Sequence, residues 1–274
     1  MNLAENLKQI DYSGIKEKQK VIWASGDYAR IGSTLQIVGE ELAEAMDIRA
    51  DQKVLDIAAG NGNFTIAAAR RWADTTSTDY VDSLLQNGKA RATANGLNPT
   101  FQFADAEELP FEDNSFDAVG STFGVMFAPD QEKAAAEMLR VVRKAGKIGL
   151  ANWTPTGFIG SVLKIVSSHV QPPAGVKPPV LWGTDSQVNT LFGDKAEEIN
   201  IIRKHYNFRY RSADHWLDVF RQFYGPLHKA FLALDEAGQE TLTNDIRELI
   251  SSMNQSGDNT MLVPGEYLEI VITK

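Results

Sequence analysis

Asp56, Gly60, Gly62 and Asp79 are the residues whose types and spacing most directly suggest chemistry. Val54-Leu55-Asp56-Ile57 is a short apolar run interrupted by an acid, the pattern of a parallel strand buried on both faces. Ala58-Ala59-Gly60-Asn61-Gly62-Asn63 follows, and its glycines permit a tight turn and a close approach of backbone to ligand. The next segment, from residue 65 to about residue 72, is patterned as a helix with Asn63 as its N-cap, so its free N–H groups point into the turn. A second acid, Asp79, closes the following strand about 20 residues on, where nucleoside-binding α/β folds hold ribose hydroxyls. This spacing predicts a nucleoside site.

The loop narrows the choice of nucleoside. A dinucleotide fingerprint requires a third glycine where this chain has Thr65, and a carboxylate at Asp56 would repel a pyrophosphate. Asp56 suits a cationic ligand, such as an ammonium or a sulfonium. Val54 to Gly62 resembles the first motif of the class I S-adenosylmethionine-dependent methyltransferases, with Ala58 at a position where that family permits alanine. The resemblance is to the broad small-molecule group that includes the ubiquinone/menaquinone-biosynthesis methyltransferases. Asp79-Tyr80-Val81-Asp82 resembles the second motif, and Phe103-Ala104-Asp105-Ala106-Glu107 the third. Ser115-Phe116-Asp117-Ala118-Val119 and Leu139-Arg140-Val141-Val142 resemble the fourth strand and the helix after it, so the likeness covers roughly residues 50–155. Arg143-Lys144-Ala145-Gly146 departs from the family's Pro-Gly-Gly, in a loop expected to lie away from the cofactor.

The resemblance implies a Rossmann-like seven-stranded sheet with helices on both faces, a helical cap, and S-adenosylmethionine as cofactor, released as S-adenosylhomocysteine. It implies that Asp79 holds the ribose hydroxyls, Tyr80 lines the adenine, and Asp105, beside Ala106, accepts from the adenine amino group. Asp56, Ala58, Gly60, Gly62, Asn63, Ser121 and Phe123 complete the expected cofactor set. Tyr28 lies in a segment similar to one that folds over the cofactor in this family; its ring is expected to shield the methionine end and Arg30 to meet the cofactor carboxylate.

Periodicity supports this architecture. Strand-like runs at residues 54–57, 75–79, 100–104, 116–121 and 148–152 alternate with helical patterns, which predicts a parallel sheet covered on both faces. Residues 201–210 and 267–273 are the remaining strand candidates, the last antiparallel by resemblance. A helix is expected from about Asp130 to Lys144, after Pro129 and before Gly146. The 274 residues read as a single class I methyltransferase domain: a helical segment over 1–50, a cofactor-binding core over 51–155, and a helical cap insertion over 212–262. The proline-rich stretch 171–179 reads as a stiff surface loop.

Composition limits the partners. A net charge of −9 argues against a nucleic-acid backbone, which requires patches of lysine and arginine. There is no apolar run of about 18 residues and no basic-then-apolar start, so neither a membrane span nor a signal peptide is expected, and the reading is cytoplasmic. With no cysteine, disulfides, thiolate metal sites, iron–sulfur radical chemistry and a cysteine nucleophile are excluded. The place where DNA amino-methyltransferases carry an Asp/Asn-Pro-Pro-aromatic motif reads Ser121-Thr122-Phe123-Gly124. A small-molecule acceptor is therefore expected.

Methyl transfer depends on positioning and water exclusion, and a general base is needed only where the nucleophile still carries its proton. No two of the four histidines have metal-ligand spacing on one helix turn, and no metal is expected. His215, Tyr224 and His228, in the cap beside an aromatic stripe, are the candidates for catalysis. Met126, Trp153, Trp216 and Phe220 are the candidates for the acceptor pocket, although Trp216, Phe220 and Phe223 at helical spacing equally describe cap packing. Two other functions fit part of the pattern: an adenosyl-nucleoside-binding protein without catalysis, and a nucleotide-dependent oxidoreductase. The missing third glycine and Asp56 weigh against the latter.

Overall fold

The computed structural model describes residues 10–274. Four helical stretches begin the chain: α1 (Tyr12–Trp23), α2 (Tyr28–Gly32), a short 3₁₀ turn, and α3 (Gln36–Ala45). Asp11 caps α1 by accepting from the Gly14 N–H at 2.9 Å. The first nine residues of the helical segment expected over 1–50 lie outside the described residues. The sheet-forming part then alternates: β1 (Lys53–Ile57), α4 (Asn63–Arg70), β2 (Asp74–Asp79), α5 (Asp82–Ala94), β3 (Thr100–Phe103), β4 (Phe116–Thr122), α6 (Gln131–Val141) and β5 (Val142–Trp153). It continues through α7 (Phe158–His169), α8 (Asp185–Phe192), β6 (Glu198–Tyr210), α9 (Ala213–Phe223), α10 (Gly225–Ala233), α11 (Glu236–Met253) and β7 (Met261–Thr273).

All seven strands form one sheet in the order β3-β2-β1-β4-β5-β7-β6. The first five run parallel, and β7 runs antiparallel between β5 and β6. Alternation along β1 sends Val54 to the face covered by α3 and α4, and Leu55 and Ile57 to the opposite core. The strand order reverses between β1 and β4, the place in such sheets where ligands bind beyond the strand carboxyl ends.

Several boundaries differ from the expected ones. The helix expected over 130–144 ends at Val141, because Val142 pairs with Phe116 on β4 and the chain is already strand. Between that pair and Ala118↔Lys147 the register shifts, and the Arg143–Gly146 departure fills the irregular stretch, at the edge of β5 remote from Trp153. β7 begins six residues before the expected residue 267, because β6 is long enough to pair with it over its whole length. The cap helices therefore stop at Met253. Asn63 is the first residue of α4 and not its cap: Gly62, in the left-handed region at φ 79°, holds that place. Among the described residues, no helix is long and apolar enough to cross a membrane, and no group of three or more acids and histidines could hold a metal ion.

Candidate active site

A single cavity lies above the carboxyl ends of β1, β2, β3, β4, β5 and β6, roofed by α1, α2, α9 and the turn into α10. Its two halves differ in chemistry. Asn61, Asn63, Asp79, Tyr80, Asp105 and Glu107 make the β1–β3 half polar. Trp23, Phe123, Phe127, Trp153, Phe208 and Phe220 make the β4–β6 half aromatic.

The polar half is built around the glycine turn. Ala58 directly follows β1 at φ 49° and Gly60 stands at φ 56°, so the backbone turns sharply through left-handed conformations. The alanine carries strain that the surroundings must hold in place, as is common at ligand sites. Gly124, on the facing loop, has no room for a side chain: a Cβ there would lie 2.0 Å from the Ala58 carbonyl oxygen. The Tyr28 ring covers the turn, 3.4 Å from where a Cβ on Gly60 would stand.

Asp79 is buried and borders the cavity. Its Oδ2 accepts from the Gly60 N–H and its Oδ1 from the Val81 N–H, each at 2.9 Å. Burial raises this carboxyl to about 6, against the lowering effect of those backbone donors. The two oxygens of a carboxylate offer about four lone pairs, so acceptor capacity remains beyond these backbone contacts for a vicinal diol. Asn61 supplies the complementary group, a buried Nδ2 donor with no partner. An unsatisfied donor in the wall of a cavity is the mark of a polar ligand's place. The turn, the acid and the orphaned amide fit a nucleoside.

Asp105 and Glu107 form the far wall of this half. Lys16 on α1 donates to Asp105 Oδ2 at 2.6 Å and to Glu107 Oε2 at 3.0 Å. Burial alone would lower the Lys16 ammonium, but the two carboxylates outweigh it and hold it above its ordinary value. Asp105 Oδ1 accepts from the Glu107 N–H, and Glu107 Oε1 accepts from the Asp130 N–H. Tyr80 borders the same end, its hydroxyl donating to Gln19 at 3.3 Å.

The aromatic half is a packed box. Phe123, at φ 58°, lies flat on Trp153 with ring centroids 3.8 Å apart. Trp23 meets Tyr28, Phe127 and Tyr224 edge-on at 5.8, 4.9 and 5.7 Å. Such pairings favour one arrangement of the rings and so fix the shape of the cavity.

Of the residues singled out in the sequence, Tyr28, Ala58, Gly60, Asn63, Asp79, Tyr80, Asp105, Ala106, Phe123, Trp153, Phe220 and Tyr224 border the cavity. Asn63 does so with its polar atoms engaged: Nδ2 donates to the Gly32 carbonyl and Oδ1 accepts from Arg91. The remainder lie elsewhere. Asp56 is fully buried beneath the turn, where Oδ2 accepts from the Thr65 N–H and hydroxyl at 2.8 and 2.6 Å. Its other oxygen has no partner, and burial raises the carboxyl to about 7. Thr65, which displaces the third glycine, is therefore the group that anchors this acid to the start of α4. Gly62 shapes the turn without reaching the cavity. Ser121 donates to the Ile57 carbonyl and accepts from the Val125 N–H, locking β1 to the loop after β4. Arg30 is exposed and pairs with Asp27 at 3.5 Å.

Met126 is core, and Trp216 stacks on Phe220 at 4.0 Å and edges Phe158 at 5.1 Å, packing α9 on α7. No histidine borders the cavity. His215 accepts from the Arg211 N–H, and His228 meets the Arg221 carbonyl at 3.0 Å. His169 binds Asp245, and His205 faces Glu266. Lys16, Trp23, Asn61, Phe127 and Phe208 are wall residues that the sequence reading passed over. Asn61 could have been found from its place between the two glycines; a lysine on an amphipathic helix carries no such signal.

Residues 55–150 match the family model described as a methyltransferase domain. An uncharacterised protein of Mycobacterium tuberculosis is 40% identical over 233 residues, covering 83% of this chain and 85% of the relative. A ubiquinone/menaquinone biosynthesis C-methyltransferase of Psychromonas ingrahamii is 31% identical over 164 residues, covering 54% of this chain and 65% of the relative. The YcgJ protein of Bacillus subtilis has the same fold, with a TM-score of 0.61 at 19% identity over 89% of this chain and 98% of its own. Motif order, sheet order and relatives agree: the chain belongs to the class I S-adenosylmethionine-dependent methyltransferases.

Proposed function

We propose that this protein transfers the methyl group of S-adenosylmethionine to a small, apolar or aromatic acceptor enclosed under the cap. One observation carries the reading: a single cavity is polar at the β1–β3 ends and aromatic at the β4–β6 ends. Small-molecule sites have this character, mostly apolar with a few placed polar groups. A macromolecular acceptor would need an open groove in place of the roof formed by α1, α2 and α9. When bound, the cofactor supplies an electrophilic methyl group on a sulfonium.

The residues at the polar end bind and orient. Asp79 accepts from the ribose hydroxyls, the Asn61 amide donates to the amino-acid end, and Asp105 accepts from the adenine amino group with its remaining lone pairs. Gly60 lets the backbone pass close beneath the ligand, and Tyr28 shields it from above. At the other end, the stacked pair Phe123 and Trp153 holds a flat acceptor and excludes water. Asp56 acts indirectly, by tying the turn to α4. The cap has to open for entry and close for transfer, a motion that can limit turnover.

Thermal-shift titration tests the reading. S-adenosylhomocysteine at about 100 times its dissociation constant should stabilise the fold by ~2.7 kcal/mol. Stabilisation by NAD but by neither adenosyl compound would sink it. Release of S-adenosylhomocysteine with members of an aromatic acceptor panel separates transfer from binding alone. Robust transfer to protein or RNA, and to no small molecule, would defeat the acceptor assignment.

A further inference from the structure

Tyr267 does not border the cavity, yet it packs against two rings that do, Phe123 and Trp153. It meets them edge-on, at 5.7 and 6.1 Å between centroids and at 80° in both pairs. Strand pairing puts it there, because Tyr267 on β7 has Trp153 on β5 and Lys204 on β6 as its cross-strand neighbours. Phe123, at φ 58°, holds a backbone conformation that persists only where its surroundings fix it. Its N–H donates to the Ala151 carbonyl at 2.8 Å, while Trp153 and Tyr267 fix its ring.

The far end of Tyr267 is anchored in a polar group. Its hydroxyl donates to Glu41 Oε2 at 3.0 Å. Lys204 Nζ reaches the same oxygen at 3.3 Å and Glu269 Oε2 at 2.8 Å. Tyr267 and Glu269 are buried, and Glu41 on α3 and Lys204 are half-buried. Two carboxylates share one ammonium, so the tyrosine O–H is a needed second donor for Glu41. Burial, and then the Glu41 charge, push Tyr267 up, which keeps its hydroxyl a protonated donor. Burial alone would lower Lys204, but Glu269 and Glu41 outweigh it and hold the ammonium above its ordinary value. The ring of Tyr267 is therefore held at both ends.

We propose that Tyr267 is a positioning residue, held by Glu41, that keeps Phe123 and Trp153 in one fixed stack and thereby makes the acceptor half selective for flat molecules over globular ones of equal size. The proposal deepens the methyl-transfer reading above and rests on it. The two rings lie within 3° of parallel, a rigid aromatic surface. A flat molecule gains dispersion over its whole face on such a surface, and a globular one touches it at fewer atoms. Without its anchor the Tyr267 ring tilts, and the edge contacts that set the stack weaken. The flat molecule then loses more than the globular one.

The test compares 2-naphthalenemethanol with 1-adamantanemethanol, neutral alcohols of equal carbon number, one flat and one globular. Each is titrated by calorimetry into the full-length protein saturated with S-adenosylhomocysteine. The parent should favour the flat alcohol. Tyr267→Phe and Glu41→Ala should each shrink the ratio of the two affinities by roughly two- to tenfold, the worth of one aromatic pairing. Glu41→Gln keeps an acceptor for the hydroxyl and should retain the parent's ratio. In protein labelled with 5-fluorotryptophan, the fluorine signal of Trp153, identified from Trp153→Phe, should move or broaden in Tyr267→Phe and Glu41→Ala. The signal of Trp72, which is 81% exposed, should not change. Thermal melts and S-adenosylhomocysteine affinity, read on the same samples, report whether fold and cofactor end are intact. A parent that binds neither alcohol or shows no preference, or folded variants that keep the parent's ratio, would overturn the proposal. Unfolding of both variants would make the contact a folding requirement and overturn it too. Failure of the parent to bind S-adenosylhomocysteine would overturn the methyl-transfer reading instead, and the Trp153 signal would still judge the brace.

Discussion

Lys16 Nζ lies 2.6 Å from Asp105 Oδ2, so a lysine of the first helix reaches across the cavity's rim to an acid that follows the third strand. The same ammonium holds Glu107 Oε2 at 3.0 Å. The pairing ties the roof to the floor at the polar end of the cavity, and Glu107 is only 1% exposed.

Lys16→Met should therefore destabilise the protein, because it leaves a buried carboxylate with one donor fewer. Hydrogen bonds to charged groups place the loss at about 1.5–3 kcal/mol. Urea denaturation measures it, and limited proteolysis should cut within α1 sooner in the variant. An unchanged midpoint with unchanged proteolysis would mean that the contact contributes nothing in solution.

Asp79→Ala should weaken S-adenosylhomocysteine binding by roughly 1.5–3 kcal/mol through loss of a charged acceptor. It also removes the partner of the Gly60 and Val81 N–H groups. Asp79→Asn keeps one acceptor oxygen and should fall between the parent and the alanine variant. Calorimetric titration decides. Parent-like affinity in both variants would remove Asp79 from the ribose.

Stability should depend on Asp56 with an inverted sign. Burial, first, and the Asp79 charge, last, raise Asp56 to about 7, above its unfolded value of about 4. The folded state thus holds this proton more tightly, and the contribution is fully present below about pH 4 and lost as pH rises through 7. Asp79, raised to about 6 by burial, acts in the same direction. Asp56→Asn keeps an acceptor for Thr65 and removes the buried charge, so it should gain on the parent between pH 5 and pH 8 in denaturant melts. A difference between variant and parent that does not change with pH would contradict the assignment.

His215→Gln and His228→Gln should leave methyl transfer unchanged in rate and in pH profile, because both rings lie outside the cavity and are engaged with backbone groups. A large fall in kcat for either, with the melting temperature unaltered, would return a histidine to the mechanism.

The polar end of the cavity was legible in the sequence because its signals are local. A glycine turn after a buried strand, an acid ending the next strand and another after the third depend on neighbours a few residues away, and the strand pairing then brings them together. Strand-like runs, ordered by the resemblance, likewise pointed to all seven strands. The ends of β5 and β7 were not specified, since each is set by the partner strand it pairs with.

Only the tertiary structure decided which residue of a periodic stripe meets the cavity. Trp216 and Phe220 share one helix face and one spacing. Yet Trp216 packs on Phe158, while Phe220 borders the cavity, because the face spans both core and ligand space. Asp56 looked like a ligand for a cation, and burial under the turn gives it a supporting role instead. Lys16 and Tyr224 are far from the glycine turn in sequence and carry no motif; folding of α1 and α9 over the sheet brings them to the wall of the same cavity. Patterns of neighbours determine the frame and the cofactor turn, and contacts between distant elements determine what the remaining space can hold.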